Sequence, residues 1–227
     1  MYTQDVLDWR AFAPAQRFAS HNHSWLGVLD RTLDWLLDST GSRLHDTTDT
    51  PVRTLFAVRN EQLEAADDLV RRRYAWRGYD VPSAGNSPSR VTLLAKRGDD
   101  LLGTLTVRGG TTQELFAENT YAAEINRLRE SGKRVGEVVK LAVETGAGTK
   151  ALQALIRSAY VVTRFMHGLT DVVIEVNPRH VRFYERALGF IVTGAERVCS
   201  RVGAPCVLML LDLEQFGRRI GSLDLYC

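Results

Sequence analysis

Apolar and polar positions alternate along the chain with two different periods, and the changes of period mark out a series of short strands and amphipathic helices. TLFAVR (54–59) reads as a strand, and EQLEAADDLVRRRYAW (61–76) follows with Leu63, Ala66, Leu69, Val70 and Tyr74 at helical spacing. RVTLLAKRGDDLLGTLTVRGG predicts two strands, 90–97 and 101–108, paired around a GDD turn. TYAAEINRLRESG (120–132) returns to helical spacing, with Tyr121, Ile125 and Leu128 on one side. Val135–Val143 is β-branched and apolar, as a buried strand should be. A helix over 151–167 comes next, and then Asp171–Val176, a second apolar run with little alternation, as in a parallel strand covered on both faces. Asn177 is a good N-cap, Pro178 suits a first helical position, and Gly189 stands where that helix should end. A strand resumes at 190–193, VCSRVGAPCVLMLLDL (198–213) reads as a further hairpin, and QFGRRIGSLDLYC closes the chain as a polar tail.

The first fifty residues stand apart. Leu26, Leu29, Leu33, Leu36 and Leu37 predict an amphipathic helix over 24–38, and GSRLHDTTDTP (41–51) is a polar linker. The expected division is therefore a helical extension (1–50), a main domain (51–216) and a C-terminal tail (217–227). GYDVPSAGNSPS (78–89) is rich in turn formers and long for a simple connection, as a loop over a binding site would be.

Composition narrows the function. The 227 residues are 44% apolar, enough for a sizeable core, and a net charge of +2 offers no global basic field for nucleic acid. No apolar run approaches the ~18–20 residues that span a bilayer, and the start, MYTQDVLDWR, is not that of a signal peptide, so a cytoplasmic protein is expected. The three cysteines lack metal-ligand spacing; Cys199 and Cys206 face one another across the expected hairpin and are read as free thiols. His21, His23 and His45 are scattered, and no metal is expected.

Chemistry concentrates in residues 133–193. KRVGEVVKLAVE, the loop TGAGTK, a long helix and DVVIEV form a βαβ crossover, which places Gly146 and Gly148 at a helix N-terminus. Such a loop turns backbone N–H groups and a positive dipole end toward an anion. Together with NPRHVRFYERALGF, this order resembles the acyl-CoA N-acyltransferase (GNAT) superfamily. The full block, preceded by VGEVVKLAV, resembles in particular its long-chain N-acyl amino acid synthases. GEVVKLAV is also similar to the W-E-x-S-R pattern of acyl-homoserine-lactone synthases, with Glu137 and Lys140 at the Glu and Arg positions and Gly136 in place of Trp.

The resemblance implies an α/β fold of GNAT type, a mixed, twisted sheet with helices on both faces. It also implies an acyl-phosphopantetheine donor, no permanently bound cofactor, and an amino acid acceptor. The pyrophosphate loop of the superfamily usually reads Q/R-x-x-G-x-G/A, and here Val143 stands first. Loss of that polar side chain points to an acyl carrier protein as donor, with coenzyme A as the alternative. Arg71–Arg73 and Lys133–Arg134 are basic groups that suit an acidic carrier. The cofactor-binding candidates are Val143, Gly146, Ala147, Gly148, Thr149 and Arg179.

Amide formation from a thioester requires a base for the amine, a polarised carbonyl and a proton for the departing thiolate. Glu137 is the first candidate base and Glu144 the second. Strict alternation puts Glu137 with Val135, Val139 and Leu141, on an apolar face unless a bulge intervenes, and an ion pair with Lys140 or Arg134 is the structural alternative. Tyr184 occupies the position of the superfamily's thiolate-protonating tyrosine, and its spacing with Val181 and Leu188 suits a core contact equally. Lys140 and Asn177 are the candidate acceptor contacts, with helix capping a full alternative for Asn177. Three other readings stay open: a short-chain acyl-CoA acetyltransferase, an acyl-homoserine-lactone synthase, and a non-catalytic module that binds acyl groups or a partner.

Overall fold

A computed structural model describes residues 50–75, 78–79, 90–109 and 115–221. The expected extension up to residue 49 and most of the 78–89 loop lie outside these residues. Seven strands form one sheet in the order β1-β2-β3-β4-β5-β7-β6. They are β1 (Val52–Phe56), β2 (Arg90–Arg97), β3 (Asp100–Arg108), β4 (Val135–Val143), β5 (Asp171–Val176), β6 (Ile191–Cys199) and β7 (Ala204–Asp212). All neighbours are antiparallel except β4 and β5, the pair joined by the crossover.

Helices cover both faces. On one, α1 (Asn60–Ala75) packs Leu69 and Val70 against Ala142, while α2 (Glu118–Glu130) buries Tyr121 and Ile125 among Val135, Val173 and Leu208. On the other, α3 (Gly148–Val161) sets Ala151, Leu155 and Ala159 against Leu93, Leu105 and Val107. It ends in a π-helical turn, Val162–Met166. The segment 178–188, here α4, also lies on this face, and so does α5 (Leu213–Gly221).

The strands expected at 90–97, Val135–Val143 and Asp171–Val176 stand at those bounds. Two expectations require correction. The segment after Asn177 is not one regular helix but a 3-10 turn (Pro178–His180), a single α turn (Val181–Phe183) and a π turn (Tyr184–Leu188). It stops at Gly189, whose φ of 85° is the left-handed value that glycine adopts without strain. The polar tail, in turn, contains α5, which crosses the expected boundary at 216/217 and buries Leu213 and Phe216.

Two irregularities open the middle of the sheet. Parallel pairing of β4 with β5 stops after Val135↔Asp171, Gly136↔Val172 and Glu137↔Val173. Beyond it, Thr104 pairs with Ala142 and Thr106 with Val139, so β4 carries one extra residue against β3. Lys140 sits in this bulge with a φ of 54°. The two strands therefore splay apart just where the bulge bends β4.

Candidate active site

The splay opens into a cavity of about 110 Å³ under α3, α4 and α5. Its walls are largely aliphatic and aromatic: Val138 and Ile174 from the sheet, Ile156 and Tyr160 from α3, and Leu213 and Phe216 from α5. Tyr160 meets Phe216 edge-on, with ring centroids 5.6 Å apart. The polar lining includes Tyr74, Lys140, Glu175 and Tyr184, from α1, the bulge, β5 and α4.

Tyr184 packs edge-on against Phe183 and Phe190, and its hydroxyl has no hydrogen-bond partner among the described residues. Burial, reinforced by Tyr74, holds its pKa well above the usual tyrosine value, so it stays protonated and able to donate. The hydroxyl of Tyr74 donates to the Leu141 carbonyl at 3.1 Å. Lys140 reaches back to Asp67 on α1 at 2.7 Å, with 10% and 21% of the two side chains exposed, so it fastens the bulge to α1 while lining the cavity.

Glu137 lies on the face of α1 and α2, away from the cavity lining. The bulge falls after it, at Lys140, so Glu137 keeps the side of Val135. It is fully buried and accepts N–H bonds from Phe116 (2.7 Å) and Ala117 (3.0 Å), which hold the chain entering α2. The alternative of an ion pair with Lys140 or Arg134 is corrected as well: Lys140 holds Asp67, and Arg134 donates to the Gly168 carbonyl at 2.5 Å. Burial pushes the Glu137 carboxyl up to about 7; the Glu175 carboxylate adds to the rise, while Arg201, the Phe116 N–H and Arg108 oppose it.

The sequence reading missed Glu175, the one carboxylate that lines the cavity among the described residues. It shares a face with Glu137 and accepts a hydrogen bond from Arg201, in the turn between β6 and β7. Arg201 and Arg108 both stand over the Phe116 ring, 4.8 Å and 3.7 Å from its centroid. Two carboxyl groups and two guanidiniums thus form a largely buried cluster behind the splay. Cys199 and Cys206 are buried free thiols, each with its sulfur 3.9 Å from a Glu175 oxygen. These three residues place possible metal ligands within 4.8 Å of one another, but the Arg201 cation already occupies Glu175 and opposes a second cation there.

At the far end of β4, Gly146 and Gly148 take φ values of 81° and 76°, and α3 begins after Ala147 with no side-chain cap. Ala147 is buried against the core, and Val143 packs beside Gly103, so neither side chain offers a polar contact to a donor. Thr149 stands in the first turn of α3. Arg72 pairs with Glu144 at 2.5 Å and Arg73 donates to Thr145 at 2.5 Å, which brings two guanidiniums to the edge of the loop. Glu144 is thereby engaged at the loop, outside the cavity lining. Lys133 and Arg134 lie at the other end of β4, about 25 Å away, and Lys133 is paired with Asp171, so they do not extend this basic patch. Asn177 caps the Arg179 N–H and also donates to the Pro205 carbonyl at 3.3 Å, and the Arg179 side chain, in an exposed turn, donates to His180.

Comparison with known proteins agrees with this architecture. The family model described as N-acyl amino acid synthase FeeM matches residues 65–212. The structure of FeeM, an N-acyl amino acid synthase from uncultured soil microbes, superposes with a TM-score of 0.68 at 25% identity, covering 74% of this chain and 93% of that one. Escherichia coli ElaA (TM-score 0.51, 13% identity, 71% and 99% covered) and an aminoglycoside N(6')acetyltransferase from Legionella pneumophila (0.50, 13%, 77% and 99%) share the fold. No curated protein matches the sequence. A GNAT fold, a sheet splayed at β4 and β5, and a family match across the whole of that region lead to one conclusion: the chain belongs to the FeeM family of N-acyl amino acid synthases and is an N-acyltransferase.

Proposed function

We propose that the protein transfers a long fatty acyl chain from the phosphopantetheine of an acyl carrier protein to the amine of an amino acid. The observation that carries this reading is the apolar cavity running from the splay to Leu213 and Phe216. Each methylene moved from water to such walls gains about 0.8 kcal/mol, so a site of this kind favours a long chain over acetyl. The donor's phosphate meets the loop at Gly146–Gly148 and the first turn of α3, with Arg72 and Arg73 alongside. That patch lacks a polar side chain at Val143, which suits a carrier-bound phosphopantetheine better than the diphosphate of coenzyme A.

In the transfer, the acceptor nitrogen attacks the thioester carbonyl, the C–N bond forms and the C–S bond breaks. The ammonium loses two protons. One ends on the departing thiolate through Tyr184, and the other passes to the carboxylates behind the splay. Glu175 meets the amine there, and Glu137, poised near neutral, receives the proton through an intervening water. The test offers matched acyl chains from two to sixteen carbons on carrier protein and on coenzyme A to the purified enzyme with the twenty standard amino acids. Rates that climb with chain length and favour the carrier at low salt support the reading. A flat length profile, or higher kcat/KM with acyl-coenzyme A, overturns it.

A further inference from the structure

We infer that Arg201 recognises the α-carboxylate of the acceptor amino acid and so makes the enzyme select amino acids over simple amines. The inference rests on the proposed transfer to an amino acid and adds the group that reads the acceptor. Arg201 donates through Nη2 to Glu175, the carboxylate lining the cavity. Its Nε is buried and has no hydrogen-bond partner among the described residues. A buried donor left open beside a reaction cavity is costly unless a ligand fills it.

The guanidinium is fixed from two sides, by the bond to Glu175 and by the Phe116 ring. Yet 28% of the side chain remains exposed, so its outer edge is open to solvent, and an entering carboxylate displaces what covers the Nε–H. Charge selects the ligand. Glu175 and Arg201 compensate one another, so a net cation or anion entering beside them leaves one charge uncompensated. A zwitterion does not: its ammonium faces Glu175 at the splay and its carboxylate faces Arg201 one step farther out. A planar guanidinium with an open N–H matches a carboxylate better than a lysine ammonium would.

The experiment compares the best amino acid acceptor with its own primary amide, which keeps the size and amine but loses the negative charge. Wild-type enzyme should prefer the acid by about 10- to 100-fold in kcat/KM. Arg201→Gln should raise KM for the acid and bring acid and amide level; because Arg201 also holds Glu175, kcat falls with both acceptors, and the acid-to-amide ratio in kcat/KM is what reads the carboxylate contact. Arg201→Lys, which keeps a positive charge beside Glu175 without the Nε donor, should show an intermediate ratio, and it decides the matter if Arg201→Gln fails to fold. An acid-to-amide ratio unchanged in both variants, or near one in the wild type, overturns the inference and leaves the acyl transfer to amino acids standing. Failure of the wild type to acylate any of the twenty amino acids overturns both.

Discussion

Replacing Glu137 with Gln tests the buried charge group through stability rather than rate. The folded protein raises this carboxyl from 4.5 to about 7, so between those pH values the folded state binds a proton that the unfolded chain has released. Stability from this group is therefore fully present below pH 4.5 and is lost as pH rises to about 7. At about 1.4 kcal/mol for each pH unit, the loss amounts to about 3 kcal/mol across that window. Glutamine does not titrate, so the difference in unfolding free energy, wild type minus variant, should fall by about that amount as pH rises. A constant offset is added to this slope. Both Glu137 oxygens accept backbone N–H groups, and the glutamine NH2 must turn toward one of them, which costs about 1–3 kcal/mol at every pH. The isosteric change is thus not neutral for folding, as similarity of volume alone would predict. Urea unfolding at intervals from pH 4 to pH 8 measures both quantities. A difference that stays flat, or rises with pH, refutes the assignment of a proton-holding Glu137.

Three further outcomes follow from the site. Tyr184→Phe removes a cavity-lining hydroxyl that has no hydrogen-bond partner among the described residues, so thermal stability should hold while kcat drops about 10- to 100-fold, measured as released thiol. Arg72→Ala with Arg73→Ala should change stability by under about 1 kcal/mol, because the side chains are exposed, yet raise KM for the acyl donor several-fold and flatten its salt dependence. Lys140→Met breaks the half-buried pair with Asp67 and should cost about 2 kcal/mol in a denaturant titration, with a matching loss of ordered geometry at the bulge seen as a higher KM for the donor.

Strand periodicity carried most of the fold. The runs at Val135–Val143 and Asp171–Val176 are dense in β-branched residues, and local preference agrees with burial there. Where local and tertiary demands diverge, the sequence misled. Helix α5 spaces Leu213, Phe216 and Ile220 at helical intervals, but Gly217 and Gly221 lower the propensity and conceal it. Gly217 has a tertiary purpose: a Cβ there would lie 2.1 Å from the Tyr160 hydroxyl, so glycine lets the cavity-lining Tyr160 press against the helix. Glu175 was hidden inside an apolar strand because its partner, Arg201, is 26 residues away in a turn, and no sequence interval links them. Glu137 was legible as an anomaly, a carboxylate in a buried strand, but its anchors are main-chain amides of residues 116 and 117, invisible to any reading of side-chain types.

The short contact between β4 and β5 has a mechanical consequence. With pairing confined to Val135–Glu137 and Asp171–Val173, the sheet is two smaller sheets joined along one seam, and that seam borders the reaction cavity. Backbone amides beyond it, on facing edges of Val138–Val143 and Ile174–Val176, lack a cross-strand partner from one another and should exchange hydrogen early in the empty protein. An acyl chain lying between the edges would act as the missing filling, touching both halves at once. Donor binding should therefore slow exchange on both sides of the seam together, and the two halves should behave as one rigid body only while substrate is held.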